Sequence, residues 1–318
     1  MTPSGSFYLS FSLSLVLGLL CLLFVTCWSF VWRGGVGWDG SYLEFNWHPV
    51  LMVSGLVVLY GIAAVVYRVP STWSQKKSTW KLVHGGLMLL ALLLSALGLC
   101  AVFDFHRAAS IPDMYSLHSW VGLCTVLLFA FQWLLGLAGF LLPCSPPGFR
   151  SRLKPVHIWL GSMVLILSLT SCISGINEKL IFTLNGKTNE SYNSLPLEAK
   201  FANFLGILIV AFGMVVLRIL SKEEWRRPET EETAFVSSPV DGILFSPYET
   251  TIYFSISSIC TIYFTVYIFQ YIKILQLFSF KKHADLYIER YIQYIYVYCN
   301  TFLFRKAFHI FTLILNFY

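Results

Sequence analysis

Charge is what this chain has least of. Only 12% of its 318 residues are Asp, Glu, Lys or Arg, while 57% are hydrophobic, and its mean hydropathy is +0.69. Soluble domains carry about 25% charged residues, so a soluble fold is excluded. A net charge of +6 built from so few charges gives no reason to expect a nucleic-acid partner. Reactive motifs are also missing. There is no HExxH, no Cys/His cluster and no G-x-S-x-G, which argues against a zinc site and against a nucleophile–base enzyme. The eight cysteines (Cys21, Cys27, Cys100, Cys124, Cys144, Cys172, Cys260 and Cys299) form no CxxC. Five lie in apolar runs and read as small core residues, which excludes a disulfide framework.

What is present is a series of long apolar runs. A hydrocarbon layer needs about 20 apolar residues per crossing, and six runs qualify, at roughly 9–30, 47–67, 82–103, 117–142, 155–177 and 201–220. Backbone groups in lipid must be satisfied internally, so each run predicts a helix. The first lacks a basic leader and is long for a signal peptide, so it reads as a retained anchor. Orientation follows from Lys and Arg in the short loops. With the N-terminus in the cytosol, the cytosolic segments hold eleven cations (Arg68, Lys76, Lys77, Lys81, Arg150, Arg152, Lys154, Arg218, Lys222, Arg226 and Arg227). The other side holds five (Arg33, Arg107, Lys179, Lys187 and Lys200). The sequon Asn189-Glu190-Ser191 then falls on the luminal side, where Asn189 can be glycosylated.

Composition switches after about Thr233. Residues 234–318 hold one of the 21 Gly, none of the 10 Trp and 11 of the 17 Tyr. The expected organisation is therefore a six-helix domain over 1–227 and an atypical Ile/Tyr/Phe-rich tail over 228–318. That tail reads as variant-specific sequence, either without ordered function or with a seventh membrane segment at 251–280, a stretch whose composition also predicts aggregation.

Four histidines share one geometry. His48, His84, His118 and His157 each stand near the start of a different predicted helix, from the second to the fifth. Consecutive helices alternate in direction, so His48 and His118 reach the luminal ends while His84 and His157 reach the cytosolic ends. The result is two pairs, one per leaflet, each drawn from alternate helices of a four-helix bundle. Bundles build cofactor sites from side chains on facing helices. Two inward imidazoles at equal depth suit an iron porphyrin with both axial positions filled, which leaves one-electron transfer as its chemistry. Neighbouring Trp47, Trp80, Trp120 and Trp159 are the ordinary interfacial belt. The rival is a haem-free carrier or channel in which the same histidines move protons or metal ions, since ionisable groups inside membranes are usually functional.

The segments FNWHPVLM (45–52), KLVHGGLM (81–88), YSLHSWVG (115–122) and KPVHIWLG (154–161) resemble those of the cytochrome b561 family, and the resemblance covers roughly residues 10–227. It implies an all-α membrane protein with six transmembrane helices, whose central four-helix bundle, helices two to five, holds two b-type haems. It implies His48 with His118 as ligands of the luminal haem and His84 with His157 as ligands of the cytosolic haem. Further haem contacts are implied at Arg68, Asp113, Met114, Tyr115, Ser116, Glu178 and Lys222. The basic residues Lys77, Lys81 and Arg150 match the family's cytosolic ascorbate site, and an ascorbate monoanion suits a basic pocket. His106, in the luminal loop after helix three, matches a luminal acceptor position, with Asp104 and Asp113 nearby as hard donors for ferric iron.

The expected activity is electron transfer from cytosolic ascorbate across the bilayer to luminal ferric iron or monodehydroascorbate. The family members most similar in sequence imply a late endosomal and lysosomal membrane location, and the resemblance also allows a homodimer.

Overall fold

The computed structural model describes residues 3–142, 145–185 and 191–228. Asn189 and the expected seventh segment lie outside the described residues. Six helices are long and apolar enough to cross a membrane: α1 (Gly5–Val31), α2 (Tyr42–Val66), α3 (Lys77–Ala108), α4 (Leu117–Leu141), α5 (Pro147–Leu184) and α6 (Leu197–Ser221). Among the described residues there is no strand.

Most of the helices outrun their apolar cores. α5 begins eight residues before its hydrophobic run and ends seven after it. α3 extends at both ends and takes Lys77, Lys81 and His106 into regular helix. His106, expected in a loop, therefore stands in the last turn of α3. The apolar signal stops at Asp104, but the helix continues on hydrogen bonds that need no lipid-facing residue. Two helices loosen locally. Residues Val53–Leu59 of α2 and Leu137–Leu141 at the end of α4 are π-helical, a wider turn often found at functional sites.

Helices α2, α3, α4 and α5 close into a ring in which each packs on the next and α5 returns to α2. α1 and α6 pack on each other and against α2 and α5. Five buried hydroxyls are satisfied within their own helices. Ser29, Ser95, Thr125, Ser162 and Ser168 each donate to the carbonyl four residues earlier, so small polar residues enter the bundle without leaving an unpaired donor. Longer side chains tie helices together. Tyr60 donates to Gly161 O at 2.8 Å, Trp133 to Gly85 O at 3.0 Å and Gln132 to His157 O at 2.6 Å. In lipid such inter-helix bonds act as polar glue.

One face of the bundle carries the start of α1, residues 67–76, 142, 145–146 and 222–228. We call it the near face. The far face carries residues 32–41, 109–116, 185 and 191–196. After α6 the chain stays attached at the near face. Trp225 is 1% exposed and meets Phe7 edge to face at 5.6 Å, and Arg227 donates to Trp73 O and Gln75 O. Trp225→Ala is expected to cost about 3–5 kcal/mol, read as an earlier thermal transition of the purified protein. Trp225→Phe, which keeps a ring against Phe7 and loses no hydrogen bond among the described residues, should recover most of that loss.

Candidate functional site

The four histidines meet in two pairs inside the ring. On the far side, the rings of His48 and His118 are 6.1 Å apart between centroids, with planes at 85°. On the near side, those of His84 and His157 are 6.3 Å apart, at 74°. Each pair joins diagonal helices, α2 with α4 and α3 with α5.

Backbone carbonyls orient three of the rings. His48 Nδ1 lies 3.0 Å from Gly98 O, His84 Nδ1 2.7 Å from Ala63 O, and His118 Nδ1 3.0 Å from Ser171 O. A carbonyl can only accept, so Nδ1 carries the proton and Nε2 keeps its lone pair. Metal-binding histidines are commonly held in this way. His157 differs. Among the described residues its buried Nδ1 has no partner, and its backbone carbonyl is held by Gln132 instead. Glycines make the room. A Cβ on Gly175 would lie 2.6 Å from His118 Cε1, and one on Gly136 3.0 Å from His157 Cε1.

These spacings fit a metal between the rings. A metal–imidazole bond is about 2.0–2.1 Å. With roughly another 1 Å from each ring nitrogen to its centroid, the pair should stand about 6 Å apart. Both pairs do. A far-side cavity of ≈ 370 Å³ surrounds the first pair, and its wall is mostly apolar. His84 and Gly98 are fourteen residues apart on α3, so the two levels are separated by about 21 Å of helix rise.

The residues expected around the pairs are placed as follows. Near the second pair, Lys81 Nζ donates to Phe140 O at 3.2 Å and Arg150 Nη2 to Leu142 O at 3.1 Å. Both cations thus converge on the π-helical end of α4, whose wide turn leaves carbonyls to be bonded. Phe140 is also the neighbour of His157, at 5.2 Å. Arg150 Nε is buried without a partner among the described residues. Lys77 lies one turn before Lys81 on the same side of α3. Arg68 is buried and donates through Nη1 to Ile219 O and Lys222 O. Burial, and then the charge of Arg226, lower its pKa to about 10, so it stays charged at neutral pH. Lys222 is exposed, and only its carbonyl reaches Arg68.

Around the far-side pair, Met114, Tyr115, Ser116, His106 and Glu178 all line the cavity. Asp113 accepts from His106 Nδ1 at 3.0 Å, whereas Asp104 pairs with Arg107 at 3.2 Å. The two acids are therefore divided, and only Asp113 belongs to the His106 cluster. Met114 holds a left-handed backbone, φ 58°, which turns the chain into the Ser116 cap of α4. Burial, and then the charge of Glu178, raise the Tyr115 hydroxyl pKa. Sequence reasoning missed the carbonyls of Ala63, Gly98 and Ser171, the clearances at Gly136 and Gly175, and the cavity residues Phe45 and Lys179. A mid-helix glycine is costly enough to be a signal. A backbone carbonyl acceptor leaves none.

The fold and the paired imidazoles define a class: a six-helix membrane protein with one opposed histidine pair towards each face. The chain belongs to the eukaryotic cytochrome b561 family, whose model matches residues 47–183. The lysosomal membrane ascorbate-dependent ferrireductase of Danio rerio is 54% identical over 236 residues, 74% of this chain and 96% of that relative. The human protein of the same name is 54% identical over 226 residues, 71% of this chain and 93% of the relative. A plasma membrane ascorbate-dependent reductase of Xenopus laevis is 44% identical over 237 residues, 74% of this chain and 81% of the relative. Family membership makes haem b the cofactor.

Proposed function

We propose that this protein is a transmembrane ascorbate-dependent ferric reductase holding two b haems, one between His48 and His118 and one between His84 and His157. The observation that carries the reading is the pair of 6.1 Å and 6.3 Å gaps between opposed rings. Haem held between the imidazoles of each pair would supply one-electron transfer. The remaining work belongs to the chain. The ring of α2–α5 surrounds both levels with mostly apolar side chains, and the carbonyls of Gly98, Ala63 and Ser171 fix the tautomers that present Nε2 to each gap.

The near face is assigned to the cytosol by its excess of Lys and Arg. There Lys77, Lys81 and Arg150 receive the ascorbate anion beside His157, and the two cations already directed at the end of α4 orient it. Arg68 and Lys222 stand at the same level as candidates for haem propionate contact. On the far, luminal face, His106 is held by Asp113 and lines the cavity beside the His48–His118 pair, with Tyr115 and Ser116 on the same rim. This is the exit to ferric iron or monodehydroascorbate. The lysosomal names of the most similar relatives support placing the protein in late endosomal and lysosomal membranes, N-terminus in the cytosol.

The test is the absorption spectrum of the purified full-length chain. Two bis-imidazole b-type components reduced by ascorbate are expected. A folded, colourless preparation would return the histidines to the carrier reading. Separately, Lys81→Ala and Arg150→Ala should each raise the ascorbate KM by about tenfold, the worth of one charge-assisted hydrogen bond, with the spectrum unchanged. Loss of haem in either variant would remove that residue from the ascorbate site.

A further inference from the structure

The wall of the far-side cavity contains a cation that the function above does not use. Lys179 lies on α5 one turn beyond Gly175, the residue that touches His118, and i, i+4 positions share a helix face. Its Nζ sits 3.7 Å above the centroid of Phe45. Phe45 in turn lies 6.0 Å from His48, just outside it on α2. The ammonium therefore spans from the helix that cradles one ligand to the helix that carries the other, on the far side of their gap.

Two other cations of this region, Arg33 and Arg107, are already ion-paired. Arg33 pairs with Glu198, which also accepts from Trp28 Nε1 at 2.8 Å. Asp113 pairs with His106, and Arg107 with Asp104. Among the described residues no carboxylate is ion-paired with Lys179, whose partner is an aromatic face. A cation–π contact holds an ammonium in place but neutralises none of its charge. Glu178 lines the same cavity and its charge acts on both Tyr115 and His118, but adjacent helix positions do not face each other. The cavity runs from the histidine gap out to exposed Tyr115, so an anion entering it meets Lys179 before it meets His48 or His118.

We infer that Lys179, held over Phe45 outside the His48–His118 gap, is the cation that receives a carboxylate at the luminal mouth of this cavity. Two sources present that chemistry, a propionate of the haem and the carboxylates of a ferric chelate. The inference rests on the two-haem reading.

The experiment uses the full-length protein with Lys179→Met, which keeps the unbranched stem, and Lys179→Arg, which keeps the charge. Ferric citrate serves as the anionic acceptor and hexaammineruthenium(III) as the cationic one. If the carboxylate is the chelate's, Lys179→Met raises the ferric citrate KM about tenfold, leaves the cationic acceptor unaffected, and Lys179→Arg restores the parent value. If it is the propionate's, Lys179→Met lowers the midpoint potential of the far-side haem, because a lost positive charge disfavours the reduced form. Loss of that haem, recovered in Lys179→Arg, gives the same assignment. Unchanged potential and unchanged KM ratio in Lys179→Met overturn the inference. Equal loss in both variants also overturns it, since packing alone would then be at stake. A parent protein without the bis-imidazole spectrum would instead sink the underlying two-haem reading.

Discussion

His84→Ala is expected to abolish ascorbate-driven reduction while leaving the far-side haem in place. His84 is the α3 half of the near-side pair, and apart from His157 no imidazole lies at that level among the described residues. Even a lost outer-shell contact to a metal ligand costs about 10–100-fold, so removing the ligand itself should lower ascorbate-driven reduction by more than about 100-fold. Spectroscopy of the purified variant should show one of the two b-type components, reducible by dithionite and unresponsive to ascorbate. Full ascorbate reduction in this variant would mean that the near-side pair is not the entry point. His48→Ala is the matched control: it should spare reduction of the near-side component by ascorbate and block delivery to ferric iron.

The second large effect comes from a methyl group. Gly175→Ala places a Cβ 2.6 Å from His118 Cε1, closer than real Cβ contacts come. The ring must move, and with it the Nδ1 bond to Ser171 O. Overpacking of this kind costs about 1–3 kcal/mol, but the functional loss should be larger, because a tilted imidazole no longer faces His48 across the gap. The expected outcome is selective loss of the far-side component with the near-side one intact. Gly136→Ala is the counterpart at His157. Its 3.0 Å approach is less severe, so it should broaden or shift the near-side component rather than remove it. If Gly175→Ala keeps both components at wild-type ratio, the cradle assigned to His118 is wrong.

These two residues also mark the limit of what a sequence can carry. The four histidines were legible because each is an expensive side chain at the edge of an apolar run, and alternating helix direction sorts them into pairs. The six spans were legible for a similar reason: lipid permits few alternatives to a helix. Helix ends were not. His106 looked like a loop residue because hydropathy ends at Asp104, while hydrogen bonding carries α3 on to Ala108. Nor could the sequence divide Asp104 from Asp113, since the choice depends on which acid the left-handed turn at Met114 brings to His106. Lys179 was counted only among the luminal charges, and nothing in its neighbours announces the Phe45 ring, which arrives from another helix. The carbonyls that set the tautomers have no side-chain signature at all.

The orienting carbonyls have one more consequence. His48 on α2 is braced by α3, and His84 on α3 is braced by α2. His118 on α4 is braced by α5, and the His157 carbonyl on α5 is held from α4. The bundle is thus two self-braced hairpins, α2–α3 and α4–α5, and each brings one imidazole to each level. Neither hairpin owns a complete site. On the two-haem reading proposed above, the cofactors act as two cross-ties at opposite ends of one seam, and a ligand bound only by the closed form stabilises it by mass action. Assembly is shared between the levels: closing the seam at one face brings the partners at the other into register, and a hairpin that fails to dock loses both.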